Sequence, residues 1–196
     1  MDLRQDVLVN YRTANIPTDP EIPTFIKEEF SEFYKAMFAM AHQREGKQVV
    51  FREYAWDMST CDPCSAEPLN SEELRKAGVF WLTERPSGDV VMPPNSTGVF
   101  ITRLHARYSR DKFPEDLIFQ ETNNRQSFQG RYVLRHPYTG EVDCRTGRSY
   151  KRALPARFNQ EAQTLAKLTG WKVEDIRRKM KVTIPDSQPW WQRLWQ

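Results

Sequence analysis

Val49-Val50-Phe51-Arg52-Glu53-Tyr54-Ala55-Trp56-Asp57-Met58-Ser59-Thr60-Cys61-Asp62-Pro63-Cys64 is the stretch on which the architecture turns. It opens on a short apolar run rich in β-branched and aromatic residues, which reads as a buried strand over Val49 to Trp56. It closes on a loop that carries two of the three cysteines. The strand takes the chain into the core, and the two thiols mark where it leaves.

Upstream, Val7 to Tyr11 has strand composition, and Pro17, Pro20 and Pro23 impose an extended connector. A helix opens at Pro23 or Thr24, with Glu28 and Glu29 in its early turns, where acids complement the helix dipole. Ile26, Phe30, Phe33, Met37 and Ala41 recur at helical spacing and share one face, widened by Tyr34 and Phe38. Gly46 stops the helix near Arg44.

Downstream, Asn70 and Glu73 form a capping-box pattern, and Gly78 lies just past a short helix. Val79 to Thr83 and Val99 to Tyr108 read as strands on either side of a turn-rich loop, Arg85 to Gly98. Leu117 to Glu121 and Phe128 to Arg135 suggest a hairpin around Asn123-Asn124-Arg125. A helical region begins near Ser149, with Pro155 suited to a first helical position. Leu154, Phe158, Ala162 and Leu165 line one side of it. Gly170 ends it, and Trp171 supplies the hydrophobic C-terminal contact. A second short helix follows from Val173 to Met180.

The element order predicts an α+β fold with a mostly antiparallel sheet of about five strands. The N-terminal amphipathic helix and a C-terminal helical hairpin are expected to pack against it. The organisation expected is an extended N-terminal segment with one strand over 1–22, one α+β domain over 23–182, and a Pro/Trp-rich tail over 183–196.

Composition narrows the function classes. The 196 residues suffice for a core that does not depend on disulfides. With 29 basic and 26 acidic residues the net charge is +3, too balanced for whole-molecule attraction to nucleic acid or anionic lipid. No stretch approaches the ~20 apolar residues of a membrane span. Met1-Asp2-Leu3-Arg4-Gln5-Asp6 is too polar for a signal peptide, so the chain is either cytosolic or preceded by an export signal that it does not itself carry.

Cys61-Asp62-Pro63-Cys64 has the spacing of a thiol–disulfide enzyme. Such chemistry wants a helix N-terminus directly after the first thiolate, but Pro68 intervenes and the next helix starts near Ser71. A zinc site built from Cys61, Cys64, Cys144 and either His105 or His136 lacks a second paired spacing. The structural reading is a disulfide, with Cys61–Cys64, Cys61–Cys144 and Cys64–Cys144 all open. The long closures would constrain the unfolded chain more.

Arg103, His105 and Arg107 alternate along one strand, with Arg131 and Arg135 on a possible neighbour, and could form an anion-binding face. Cross-strand pairing with Glu53, Asp116 or Glu121 is the competing arrangement. Ala166, Gly170 and Ile176 match the small residue, turn glycine and apolar anchor of a helix-turn-helix, making 162–181 a candidate DNA reader. Lys172, Arg177, Arg178, Lys179 and Lys181 would then make its second helix basic; the alternative is a helical hairpin with a solvated basic face. Ser59, Ser65 and Ser127 lack a nucleophile-elbow context. No catalytic, cofactor or metal residue follows from the spacing.

Taken together, Tyr54-Ala55-Trp56-Asp57, Cys61-Asp62-Pro63-Cys64, Thr102-Arg103-Leu104-His105-Ala106-Arg107-Tyr108, Phe128-Gln129-Gly130-Arg131-Tyr132-Val133-Leu134-Arg135-His136-Pro137 and Leu168-Thr169-Gly170-Trp171 resemble an uncharacterised bacterial family, domain of unknown function 2330. The resemblance runs from about Val7 to Met180. Members of that family are longer, with an export signal and a preceding domain. The resemblance therefore implies that this chain is a C-terminal portion with an extracytoplasmic home, where disulfides persist. It carries no activity and transfers no catalytic residue.

The expectation is a non-catalytic, extracytoplasmic binding or cell-envelope module stabilised by a disulfide. It takes no cofactor, and a protein or envelope component rather than nucleic acid is its expected partner. The alternatives are a thiol–disulfide oxidoreductase or other enzyme centred on Cys61 and Cys64, and a DNA-binding protein using 162–181.

Overall fold

The computed structural model describes residues 7–58, 69–80 and 99–183. The Cys61–Cys64 loop, the 85–98 loop and the Pro/Trp-rich tail from residue 184 lie outside the described residues. In chain order the elements are β1 (Arg12–Asn15), a 3-10 turn (Thr24–Lys27), α1 (Phe30–Arg44), β2 (Val49–Asp57), α2 (Ser71–Lys76), β3 (Phe100–His105), β4 (Phe128–Gln129), α3 (Arg145–Thr169) and α4 (Val173–Thr183). The chain divides into two units, one of residues 1–15 and 50–129, the other of 16–49 and 130–196.

The first unit is built on β2, the strand expected from its apolar opening. β2 pairs antiparallel with β3 and with β4, and the sheet runs β1-β2-β3. Tyr54 faces Arg103 of β3 and Gln129 of β4, so those two strands flank β2 on opposite edges and β4 shares an edge with β1. Among the described residues the result is a mixed four-stranded sheet, where about five mostly antiparallel strands were expected.

The predicted hairpin accounts for much of the difference. Leu117–Glu121 does not pair with Phe128–Arg135. Its Ile118 carbonyl accepts from Val9 N–H at 2.9 Å, Gln120 N–H donates to the Val7 carbonyl at 3.0 Å, and Leu8 bridges Phe119. The link between the two runs turns on its own side chains instead. Thr122 Oγ1 accepts from Asn124 N–H at 3.1 Å, and Asn124 Oδ1 accepts from Gln126 N–H at 3.0 Å. Such side-chain turns redirect the backbone without bringing the flanks into register. The strand expected at Val7–Tyr11 is thus a single bridge at Leu8, and the run of strand pairing begins at Arg12.

Of the strand expected at Val79–Thr83, residues 81–83 lie outside the described residues, and Val79 and Phe80 are not in a strand. Val79 N–H reaches back 2.9 Å to the Leu74 carbonyl, and Gly78 N–H reaches 3.0 Å to that of Arg75. With Gly78 at φ +95°, this is a Schellman closure of α2. The other end of α2 carries the expected capping box of Asn70 and Glu73. Leu8, Val50 and Phe113 form a fully buried cluster of this unit, flanked by Tyr11, Leu104 and Leu117.

In the second unit, α1 buries Phe33, Met37, Phe38, Ala41 and His42. Ile26 is buried in the preceding 3-10 turn, whereas Phe30 is 48% exposed. The change of helix type before Phe30 breaks the single face that the sequence periodicity implied. Tyr132 sets its ring edge-on to Phe33 at 4.9 Å. α3 packs against α1 and α4, and α4 also touches the 3-10 turn.

α3 starts at Arg145, earlier than Ser149, because Cys144 caps it: the thiol accepts from Gly147 N–H at 3.2 Å. Pro155 therefore sits inside the helix rather than opening it. A proline there has no N–H for the carbonyl four residues back. Gly170 ends α3 in the left-handed conformation, φ +75°, as expected. No helix among the described residues is long and apolar enough to cross a membrane.

Candidate functional site

The chemistry-bearing residue that the fold singles out in the first unit is Glu53. Arg52 pairs with Leu104 but Tyr54 with Arg103, so Glu53 is the extra residue of a bulge in β2. Its Oε2 accepts from Arg103 Nε at 2.8 Å, and its Oε1 lies 2.9 Å from His105 Nδ1. Arg103 and His105 stand two apart on β3 and so share a face. The carboxylate is 15% exposed, the guanidinium 65%.

This is the cross-strand arrangement that competed with a free anion-binding face. Arg107 lies past the end of β3 and is exposed. Arg131 belongs to the other unit, where its N–H donates to Thr18 Oγ1 at 3.0 Å. Exposed ion pairs contribute only about 0–1 kcal/mol. What Glu53 supplies is position, holding one guanidinium and one imidazole side by side.

The second unit holds a charge network that sequence reasoning did not single out. Glu161 is 3% exposed on α3, and its Oε1 lies 3.1 Å from Arg157 Nε, one helical turn back, without hydrogen-bond alignment. Arg157 Nη2 donates to the Arg135 carbonyl at 3.4 Å, and the Arg135 guanidinium pairs with Glu21 at 2.7 Å. Burial pushes the Glu161 carboxyl up to about 6, and the Glu21 charge adds to the rise against the pull of Arg157 and Arg135. The i,i+4 spacing of Arg157 and Glu161 was visible in the sequence, but the burial that makes it unusual was not.

The α3–α4 corner places the helix-turn-helix residues as expected: Gly170 N–H donates to Ala166 at 2.8 Å, and Ile176 is 1% exposed. Three of its cations, however, are engaged. Arg178 pairs with Asp175 at 2.7 Å, Arg177 with Asn159, and Lys179 with Glu29. Lys179 also lies over the Phe25 and Trp171 rings, 5.6 and 5.7 Å from their centroids. Beside this corner is a hollow of about 460 Å³, lined by Trp171, Lys172, Asp175, Ile176, Arg178 and Lys179.

Cys144 carries a free, exposed thiol. Cys61 and Cys64 lie outside the described residues. Among the described residues, no three His, Cys, Asp or Glu side chains converge in a way that could hold a metal ion.

Residues 29–120 match the family described as uncharacterized protein conserved in bacteria (DUF2330), the same family that the sequence motifs resemble. The match covers α1, β2, α2 and β3, while the motifs at 128–137 and 168–171 lie beyond it. No curated protein and no solved structure matches the chain.

Proposed function

We infer, from a chain whose residues 29–120 fall in a family without an assigned activity, that this protein is a non-catalytic, extracytoplasmic module for binding or envelope structure, held by a disulfide. The observation that carries the reading is Glu53. A carboxylate that moves protons for a reaction needs an oxygen within reach of the substrate. Both Glu53 oxygens are instead committed, one to Arg103 and one to His105, so the group acts as a strut.

The free Cys144 thiol favours pairing of Cys61 with Cys64, the short closure, and such a bond persists only where the surroundings are oxidising. Thiol titration of the unfolded chain, recovered from an oxidising compartment, tests this. One thiol is expected before reductant and all three after it. All three titrating before reductant would overturn both the staple and the extracytoplasmic address.

A further inference from the structure

We propose that the hollow beside the α3–α4 corner binds a small organic anion, its aromatic or apolar body against Trp171 and its anionic group on Lys172. The proposal deepens, and rests on, the binding reading above. A volume of about 460 Å³ falls within the roughly 300–1,000 Å³ of small-molecule sites. The lining combines an aromatic ring, Trp171, backed by the buried Ile176, with a charged rim of Lys172, Asp175, Arg178 and Lys179.

The rim's charges do not cancel. Asp175 is matched by Arg178, and Lys179 by Glu29. Lys172 is exposed, and its ammonium has no hydrogen-bond or ion-pair partner among the described residues. The surplus is therefore one positive charge at the edge of an aromatic surface, which selects an anion with an apolar body over either half alone.

The ring is also held in advance. Gly170 in the left-handed conformation sets the corner, Thr169 Oγ1 accepts from the Trp171 backbone N–H at 3.1 Å and fixes the main chain that carries the ring, and the Lys179 ammonium lies over the indole. A surface fixed before the ligand arrives loses less conformational entropy on binding.

The test is calorimetric titration of the full chain with benzoate, with acetate and benzyl alcohol as the two half-ligands. Benzoate is expected to bind saturably, at least tenfold tighter than either half. Lys172→Glu is expected to weaken it at least tenfold with no loss of thermal midpoint, since the Lys172 ammonium holds no partner among the described residues and an acid at the start of α4 suits the helix dipole. Absence of benzoate binding at millimolar concentration, or equal binding by Lys172→Glu, overturns the proposal. Benzyl alcohol binding as tightly as benzoate overturns the anionic half of it. Neither result bears on the thiol count, so failure here is distinguishable from failure of the broader reading.

Discussion

Replacing Glu161 by glutamine tests which of two opposed effects dominates at a buried carboxylate. Burial disfavours the ionised form, while Arg157 at 3.1 Å and Arg135 favour it. The balance lies with burial, since the carboxyl is raised from 4.5 to about 6. At ~1.4 kcal/mol per pH unit this amounts to about 2 kcal/mol. The folded state holds the proton more tightly than the unfolded chain. The stabilisation it brings is therefore fully present below about pH 4.5 and is lost as pH rises through about 6.

Glu161→Gln has no such proton to lose. Variant stability minus wild-type stability should therefore climb by about 2 kcal/mol between pH 4 and pH 7, whatever constant offset the lost attraction to Arg157 adds. Urea denaturation of both proteins across that pH series, followed by the helical circular dichroism signal, measures the difference directly. A difference flat to within about 0.5 kcal/mol would refute the reasoning. A slope of the opposite sign would show that Arg157 outweighs burial and that the carboxyl titrates below its ordinary value.

Two further outcomes follow from packing and backbone geometry. Gly170→Ala places a side chain at φ +75° and a Cβ 2.6 Å from Met40 Cε, so a loss of about 1–2 kcal/mol is expected in thermal denaturation, and an unchanged midpoint would count against the corner described. Phe33→Ala should destabilise by about 3–5 kcal/mol, and Phe30→Ala by less than about 1 kcal/mol, because the first ring is 0% exposed and the second 48%. Equal effects in the same denaturation assay would restore the single helical face that periodicity alone suggested.

The features legible in the sequence are those decided within a few residues. The Asn70–Glu73 capping box, the helix stop at Gly170 and the buried strand from Val49 all form as expected, and the family resemblance is met over 29–120. Each rests on a side chain bonding to, or a backbone conformation adopted by, the chain beside it, which residue type alone can specify. The DNA-reading pattern at Ala166, Gly170 and Ile176 was legible too, but Arg178, Arg177 and Lys179 proved to be tied to Asp175, Asn159 and Glu29.

Tertiary structure decided the choice among distant partners. Asn10 donates to the Asp116 carbonyl across 106 positions, and the run expected to form one strand from Phe128 to Arg135 divides between β2 and the 18–22 segment. A strand's composition states that it will pair but not with whom, because any extended backbone offers the same donors and acceptors. The same holds for charge. Nothing local distinguishes Glu53, lifted into a bulge between Arg103 and His105, or Glu161, enclosed beside Arg157, from the solvated carboxylates elsewhere in the chain. Burial is a property of the packed whole, and it separates a strut or a proton-holding carboxyl from an ordinary surface acid.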